Sequence, residues 1–512
     1  MMKMRMSAIG MTLAALMLLG VGAEAADGDF VWAKAMGGTY GANGRAVAVD
    51  SAGSVYSTGY FTGTADFDPG PGTFELTSDG GTAAFLCKLD IDGDFLWAKA
   101  MGGPGHNYGG GITLDSAGNV YITGYFTGTA DLDPGPGVFN VTSAGECEIF
   151  VSKLDGDGNF VWAKAMGGTG YDYGHAITLD SAGNVYTTGS FQNTADFDPG
   201  PGIYNLTSAG DDEIFVSKLD SGGEFVWAKR MGGTEWDYGL GVSVDSTGNL
   251  YTTGSFRATA DFDPGLDTFE LTSAGNYDVF VSKLDSDGDF LWAKAMGGTH
   301  WARARGIVLD SAGNVYTTGA FWGTADFDPG PDIFSLTSGG YNDIFVFKLD
   351  SAGDFLWAKA MGGPGNNYGE GITLDSAGNV YITGFFEDTA DFDPRPRTYN
   401  LTSAGDWDVF VSKLDGDGNF VWAKAVGGAE LDCGYGITLD SAGSVYTTGS
   451  FQDTADFDPG PGTFELTAAG WEDIFVSQLA GPDASAVPLA VWPVVLALIL
   501  AGAAAMRRQS RP

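Results

Sequence analysis

The sequence predicts an all-β fold, a single seven-bladed β-propeller of four-stranded blades. One string, Phe-Val/Leu-Trp-Ala-Lys, recurs nearly unchanged at intervals of 65 residues. Its tryptophans are Trp32, Trp97, Trp162, Trp227, Trp292, Trp357 and Trp422. A fixed period of this length is typical of solenoids, propellers and arrays. The composition agrees, because 44% apolar residues and 81 glycines favour short strands joined by many turns.

The second copy shows the predicted strands of one blade. Residues 111–115 and 120–126 alternate in polarity around a Ser-Ala-Gly-Asn turn, which predicts a hairpin of strands A and B. Residues 148–154 are predicted as strand C, and residues 160–166 as strand D. Four antiparallel strands in each copy indicate a propeller blade rather than a solenoid rung.

An additional segment separates strands B and C. In the second copy it covers residues 129–143, and its centre reads Pro-Gly-Pro-Gly. Because its two ends alternate in polarity and its centre consists of turn residues, we expect a small hairpin that projects from the ring.

Closure of the ring is predicted from the order of strands at the two ends. The chain enters at a strand D that begins at Phe30, and its last strand C stops near Leu479. The N-terminal strand is therefore expected to complete the seventh blade. An open solenoid would need atypical polar capping repeats, and neither end has one.

The two termini differ from the repeats. Lys3 and Arg5 precede an apolar run that ends in Ala-Glu-Ala, the pattern of a signal peptide. Near the C terminus, an apolar stretch just long enough to cross a bilayer precedes three arginines, which should stay cytoplasmic. We predict a signal peptide at 1–25, the propeller at 26–480, a linker and sorting motif at 481–488, a transmembrane helix at 489–506 and a basic cytoplasmic tail at 507–512. These ends describe an exported protein that is anchored at the cell surface or envelope.

Two resemblances support this interpretation. Strings such as Leu-Asp-Ser-Ala-Gly-Asn-Val-Tyr at 179–186 and Phe-Val-Ser-Lys-Leu-Asp at 150–155 resemble the SBBP, or seven-bladed β-propeller, repeat proteins of microbial envelopes. That resemblance implies fold and surface location but no active site. The C-terminal order of Val-Pro, tryptophan, apolar helix and arginines resembles sorting signals of the PEP-CTERM and exosortase type. A simple tail anchor remains the alternative.

The charge excludes one class of partner. The formal net charge is −40, and 13 of the 14 lysines occupy two repeated scaffold positions. Such an acidic surface repels phosphate backbones, so we expect no nucleic-acid binding. Cys87, Cys147 and Cys433 fall at three different phases of the repeat, which supports neither a disulfide framework nor a metal cluster.

Each copy contains an Asp-x-Asp motif before its Pro-Gly turn. Aspartates two apart on a strand point to one face, and turn carbonyls could complete an oxygen-rich site for Ca²⁺. The predicted metal ligands are Asp66, Asp68, Asp131, Asp133, Asp196, Asp198, Asp261, Asp263, Asp326, Asp328, Asp391, Asp393, Asp456 and Asp458. The alternative is that one aspartate caps the turn and the other is solvated.

The segments between strand D and the next strand A vary in an otherwise rigid repeat. We predict that these segments share one rim around the channel mouth, where a rigid scaffold usually carries its binding loops. The predicted ligand-binding residues are Tyr108, Tyr173, Trp236, Tyr238, His300, Trp301, Arg303, Arg305, Tyr368 and Tyr435. The expected partner is an envelope glycan or protein. The alternative is that Tyr108 and its equivalents pack between blades.

No catalytic residues are predicted. A nucleophile elbow, a metal-spaced histidine pair and a phosphate-binding loop are all missing from the sequence. We therefore expect a non-catalytic binding or structural module, for adhesion or for glycan or protein recognition. The alternative is a polysaccharide lyase or glycosidase built on the same ring.

Overall fold

The computed structural model describes residues 26–482, and all regular secondary structure in this range is β-strand. No helix within it is long and apolar enough to cross a bilayer. The predicted signal peptide at 1–25, the predicted transmembrane helix at 489–506, the basic tail at 507–512 and most of the linker at 481–488 lie outside the described residues.

Thirty-six strands follow one another along the chain. The first twelve are β1 (Phe30–Gly38), β2 (Ala42–Val49), β3 (Val55–Asp66), β4 (Glu75–Leu89), β5 (Phe95–Met101), β6 (Asn107–Leu114), β7 (Val120–Phe126), β8 (Thr129–Asp131), β9 (Asn140–Thr142), β10 (Glu148–Leu154), β11 (Phe160–Gly168) and β12 (Tyr173–Leu179). The next twelve are β13 (Val185–Phe191), β14 (Thr194–Asp196), β15 (Asn205–Thr207), β16 (Glu213–Leu219), β17 (Phe225–Gly233), β18 (Tyr238–Val244), β19 (Leu250–Phe256), β20 (Thr259–Asp261), β21 (Glu270–Thr272), β22 (Asp278–Leu284), β23 (Phe290–Gly298) and β24 (Ala302–Leu309). The last twelve are β25 (Val315–Asp326), β26 (Ser335–Leu349), β27 (Phe355–Met361), β28 (Asn367–Leu374), β29 (Val380–Asp391), β30 (Asn400–Leu414), β31 (Phe420–Gly428), β32 (Cys433–Leu439), β33 (Val445–Phe451), β34 (Thr454–Asp456), β35 (Glu465–Thr467) and β36 (Asp473–Leu479).

Each repeat forms an antiparallel sheet in the order A, B, C, D. In the second repeat these strands are β6, β7, β10 and β11, with register pairs Asn107↔Phe126, Ile149↔Tyr125 and Ile149↔Met166. The all-β prediction and the antiparallel strands predicted for one copy are confirmed. No sheet formed by residues 26–482 closes upon itself.

The predicted hairpin between strands B and C is present. In the second repeat, β8 pairs with β9 through Thr129↔Thr142 and Asp131↔Asn140. In the first, fifth and sixth repeats the hairpin continues strands B and C without interruption, as in β3 and β4. The end of each strand D reaches the hairpin of the following repeat, for example through Gly37↔Asp66, so neighbouring sheets share backbone hydrogen bonds.

The first and last repeats contact each other. Strand β1 pairs antiparallel with β36, with Met36 opposite Ile474. The Gly28 N–H donates to the Ala480 carbonyl at 2.8 Å, and Lys413 Nζ lies 2.7 Å from Asp27 Oδ2. Each A strand lies beside the A strands of the neighbouring repeats, and β32 lies beside β2.

The core lies between adjacent sheets. One cluster joins Tyr121 and Val151 of the second repeat to Phe191 and Phe215 of the third, all fully buried. The repeated tryptophan connects the sheets at their outer side. Trp227 packs on Tyr186 with ring centroids 6.1 Å apart, and its indole N–H donates to the Ser286 carbonyl of the next repeat. The apolar face of each sheet is thus buried only by its neighbours.

Candidate functional site

A cavity of about 340 Å³ opens where the A strands come together. Seven equivalent positions, 65 residues apart, line this central cavity. They are Arg45, Gly110, His175, Leu240, Arg305, Glu370 and Tyr435. Six residue types therefore occupy one structural position, in a chain that otherwise repeats its residues closely.

A β-bulge places all seven residues. In every A–B pair the register shifts across this position, as between Gly44 and Ala46 or between Gly174 and Ala176. The bulged residue lies outside the ladder of paired residues, and bulges commonly redirect a side chain near a functional site. The same backbone device therefore directs six side chains of five types into the central cavity, and Gly110 leaves the seventh position open.

Tyrosines form part of the cavity wall. Tyr108 lies against Tyr60 of the preceding repeat, with centroids 4.5 Å apart, and stacks on Tyr125 at 4.7 Å. Tyr173 meets Tyr125 edge-on at 4.8 Å. These tyrosines thus contact neighbouring repeats, as the packing alternative predicts, and Tyr60, Tyr108 and Tyr125 also line the cavity.

Arg45 is held by aromatic rings. Its guanidinium lies 4.2 Å from the centroid of Tyr435 and 5.7 Å from that of Tyr60. Such cation–π contacts orient the group without neutralising its charge. Among the described residues, no carboxylate forms an ion pair with Arg45.

Arg305, Glu370 and His175 also line the central cavity. Arg305 Nε lies 3.4 Å from Glu370 Oε2. Burial lowers the pKa of His175 to about 4, and the positive charges of Arg305 and Arg303 lower it further in the same direction. His175 is therefore neutral at pH 7.

A second cavity of about 330 Å³ adjoins the first and shares Arg305 and Glu370 with it. Trp301 and Tyr368 stand nearly parallel in its wall, with centroids 6.3 Å apart and planes inclined by 18°. Arg303 lies 5.3 Å from the centroid of Tyr238 and 5.6 Å from that of Tyr277. Asn276 adds a polar side chain to the lining.

Six of the residues predicted to bind a ligand line these cavities. They are Tyr108, Trp301, Arg303, Arg305, Tyr368 and Tyr435. Tyr173 and Tyr238 support lining residues from behind, because Tyr173 stacks on His175 at 6.0 Å and Tyr238 lies under Arg303.

Trp236 and His300 are not among the residues that line either cavity. Trp236 is 38% exposed and lies beneath the guanidinium of Arg257 at 5.4 Å. The His300 ring packs against Trp322 at 4.3 Å.

Three prominent lining residues are missing from the predicted set. Arg45, His175 and Glu370 stand at the same phase of the repeat as Arg305 and Tyr435, which were predicted. A comparison of the seven copies position by position would have found them. They differ from their equivalents, whereas the flanking positions are mostly glycine or alanine.

The Asp-x-Asp motifs cap turns. Asp66 Oδ1 accepts hydrogen bonds from the backbone N–H groups of Asp68, at 3.0 Å, and Phe74, at 2.8 Å. Asp68 Oδ1 accepts from the Gly70 N–H at 2.9 Å. Over residues 26–482, no group of three or more His, Cys, Asp or Glu side chains is arranged to hold a metal ion. Calcium binding by these motifs stays a prediction.

Buried carboxyl groups lie beneath the segments that lead into strand A. Burial raises the pKa of Asp172 to about 7, although it accepts hydrogen bonds from the Gly168 and Gln192 N–H groups; the nearby Glu148 raises this pKa further. Asp237 and Asp432 occupy the same position in other repeats, and burial also raises their pKa values to about 7. These groups hold protons near neutral pH.

Comparison with known families identifies the type of repeat. The family model described as "Beta-propeller repeat" (SBBP) matches residues 161–190 and 356–384. This match confirms that the chain carries β-propeller repeats. The resemblance of the C-terminal segment to a sorting signal stays a prediction.

Two curated proteins and a solved structure are similar to the chain at low identity. It is 24% identical over 457 residues to "Uncharacterized WD repeat-containing protein L264" of Acanthamoeba polyphaga mimivirus, covering 71% of this chain and 32% of that protein. It is 25% identical over 280 residues to "Regulatory protein FlaEY" of Caulobacter vibrioides, covering 51% and 28%. The chain thus spans less than a third of either relative. The WD40 β-propeller domain of Doa1 is 10% identical, with a TM-score of 0.38, over 88% of this chain and 98% of that domain.

Proposed function

We propose that this chain of β-propeller repeats is an exported, surface-anchored binding module without catalytic activity. Its repeats form one ring of seven blades, and the two cavities at the centre of the ring bind an envelope glycan or protein. The ring supplies a rigid frame, and the bulged residues of the A strands supply recognition.

Contacts between the ends of the described chain support a closed ring. Strand β1 supplies the fourth strand beside β36, and Asp27 pairs with Lys413. The backbone at Gly28 lies against the Trp422 ring, as Gly418 lies against Trp357. The N-terminal segment therefore takes the place that a turn between strands C and D takes in other repeats.

The variation at the bulge position carries the proposal of a binding function. A purely architectural ring has no need for Arg45, His175, Leu240, Glu370 and Tyr435 at equivalent positions. Side chains that differ at one position of a rigid scaffold are typical of recognition surfaces.

A binding screen tests this proposal. The full chain is screened against envelope glycans and envelope proteins, and every interaction found is measured again with Arg45→Ala and Arg305→Ala. Arg257→Ala is the matched control, because Arg257 is an arginine outside both cavities that pairs with Glu235 at 3.6 Å. We expect both cavity variants to weaken binding and the control to leave it unchanged. Binding that all three variants retain would place the site elsewhere.

Export and anchoring rest on the predicted terminal segments. The residue pattern of 1–25 supports cleavage by signal peptidase, and the apolar stretch with its arginines supports anchoring. Mass spectrometry of the protein from fractionated cells tests both. We expect a membrane or surface fraction whose N terminus begins near Ala26, and an intact cytoplasmic protein would contradict the proposal.

A polysaccharide lyase is the second candidate function, and His175 favours it. A neutral histidine beside arginines suits β-elimination from a uronate. The histidine takes the C5 proton, a C4–C5 double bond forms as the C4–O bond breaks, and a donor such as Tyr435 protonates the leaving oxygen. A glycosidase needs two carboxyl groups, and Glu370 is the only lining residue of the central cavity that has one. Turnover of a uronate polymer that His175→Ala abolishes would establish the lyase.

A further inference from the structure

We infer that the ligand of the two cavities is a carboxylated glycan, with a terminal uronate whose carboxylate binds Arg303 and Arg305. This inference rests on the proposed binding function and adds the chemical class of the ligand. It starts from the distribution of arginines.

The partly buried arginines without an ion pair lie at the cavities. Outside them, Arg230 pairs with Glu213, Arg257 with Glu235 and Arg395 with Asp393, and Arg397, which forms no ion pair among the described residues, is exposed to solvent. At the cavities, by contrast, no carboxylate in the described part of the chain forms an ion pair with Arg45 or Arg303.

This distribution is unusual in a protein with 65 acidic residues against 25 basic ones. In so acidic a protein, most arginines have a carboxylate nearby with which to pair. A partly buried arginine without such a partner lowers the stability of the folded state. An anion that enters from outside would complete the pairing. Among the residues that line the central cavity, Glu370 has the one carboxylate that competes with such an anion for the arginines.

The two arginines are already positioned for a carboxylate. Arg303 is supported by the rings of Tyr238 and Tyr277, and Arg305 already contacts one carboxylate, that of Glu370, for which a ligand carboxylate would substitute. They lie two positions apart on β24 and both line the second cavity. A planar guanidinium group donates two parallel hydrogen bonds to the two oxygens of a carboxylate. This geometry favours a carboxylate over a spherical anion.

The remaining wall favours a sugar over an acidic peptide. Trp301 and Tyr368 stand nearly parallel and present flat aromatic surface, on which the C–H face of a sugar ring packs. Asn276, Tyr277 and Glu370 offer donors and acceptors for hydroxyl groups. An acidic peptide would supply carboxylates but no flat ring with hydroxyls around its edge.

Charge also limits how much of the ligand enters. The net charge of −40 repels a long polyanion over most of the surface, and the second cavity holds about 330 Å³. One end of the glycan therefore binds, with its terminal uronate in the cavity. Because the attraction is between charges, added salt should weaken binding.

Calorimetry on the full chain tests the ligand class. The probes are a galacturonate trimer, a mannuronate trimer, neutral maltotriose and the blocked peptide acetyl-Glu-Glu-Glu-amide. We expect at least one uronate trimer to bind about tenfold or more tightly than maltotriose and the peptide, and to weaken as salt is raised.

Variants separate the pocket from general charge effects. Arg303→Ala and Arg305→Ala should each lower uronate affinity about tenfold or more, and Arg257→Ala should leave it unchanged. Glu370→Gln should raise the affinity, because it removes the carboxylate that competes for Arg305. Melting curves show whether each variant is folded. If an arginine variant is not folded, weaker uronate binding by Glu370→Gln would itself contradict the inference.

Two results would overturn this inference while the binding function stands. One is tighter binding of the glutamate peptide than of either uronate trimer, and the other is binding of a neutral glycan that the arginine variants retain. Failure of every ligand in the envelope screen would overturn the proposed function itself.

Discussion

Two positions of the repeat, both close to strand A, behave in opposite ways. The aspartate that begins the A–B turn and the tyrosine six residues later are the same in every copy, as in Asp115 and Tyr121. The bulged residue of strand A changes from copy to copy, as in His175 and Glu370. Under the proposed function, stability and recognition therefore depend on separate positions of one small unit.

Their contacts explain the difference. Asp115 Oδ1 accepts hydrogen bonds from the Ala117 and Asn119 N–H groups, and the Tyr121 hydroxyl donates to Oδ2 at 3.2 Å. Tyr121 is 1% exposed and packs between two sheets. In the third repeat, for example, the bulged His175 lies outside the ladder of register pairs and lines the central cavity. Except at Gly110, where a Cβ would lie 2.9 Å from the Gly174 carbonyl oxygen, little of the fold depends on which residue stands at this position.

Deletion of residues 27–38 should have the largest effect on the scaffold. It removes β1, which pairs with β36, and the Asp27 contact with Lys413. The loss exposes the edges of two sheets, so we expect the cooperative melting transition to disappear. Circular dichroism on heating is the measurement, and a melting curve equal to that of the parent would refute closure by this strand.

A matched pair of truncations tests the two kinds of position directly. Leu219→Ala empties a buried site between sheets and should lower the free energy of unfolding by about 2–5 kcal/mol. Leu240→Ala at the bulge position should lower it by less than about 1 kcal/mol. Denaturant titration measures both values. Equal losses would show that the bulge position belongs to the scaffold.

Stability should depend on pH through the buried carboxyl groups. The folded chain holds protons on Asp172, Asp237 and Asp432 up to about pH 7, whereas an unfolded aspartate loses its proton near pH 3.9. Between these limits the folded state binds more protons, so the free energy of unfolding falls as the pH rises.

The turn aspartates change the free energy of unfolding in the opposite direction. Burial of Asp115 acts to raise its pKa, but hydrogen bonds from Asn119 and other groups lower it overall, so its stabilisation is lost below about pH 4.

The chain itself offers the substitutions that test this dependence. Asn107 stands where Asp172 stands in the next repeat. Asp172→Asn should reduce the loss of unfolding free energy between pH 5 and pH 8 by about 1–3 kcal/mol. Asn107→Asp should create a new loss over the same range. Denaturant titrations at both pH values measure the change, and identical pH profiles for parent and variants would contradict the account.

The sequence predicts the scaffold more completely than the site because scaffold signals are local. Strand C of the second copy is predicted at 148–154, and β10 occupies Glu148–Leu154, since alternation and flanking turn residues define it. The lining by His175 and Glu370 depends on a bulge and on the arrangement of seven repeats. Neither the bulge nor the arrangement of the repeats can be predicted from a single copy. The common position of His175 and Glu370 in the repeat, however, can be read from the sequence.

Calcium should have the smallest effect. At the Asp-x-Asp turns, backbone N–H groups already occupy one oxygen of Asp66 and one of Asp68, which leaves few ligands for a cation. We therefore expect few of these turns to be occupied, and one site at tenfold excess of calcium over its dissociation constant would add about 1.4 kcal/mol. A chelator should therefore lower the melting temperature slightly, and calcium should restore it. Identical melting curves would contradict the calcium prediction.

Removing the varied side chains from the bulge positions tests the central claim most directly. In one variant, serine replaces Arg45, His175, Leu240, Arg305, Glu370 and Tyr435, and Gly110 is kept because a Cβ there would lie 2.9 Å from the Gly174 carbonyl oxygen. The measurement is calorimetric binding of the ligand found in the screen, with a melting curve as the control for folding. We predict that the variant melts cooperatively, as the parent does, and no longer binds. Retained binding by the folded variant would contradict the assignment of recognition to these positions, and loss of the cooperative transition would contradict the separation of scaffold from site.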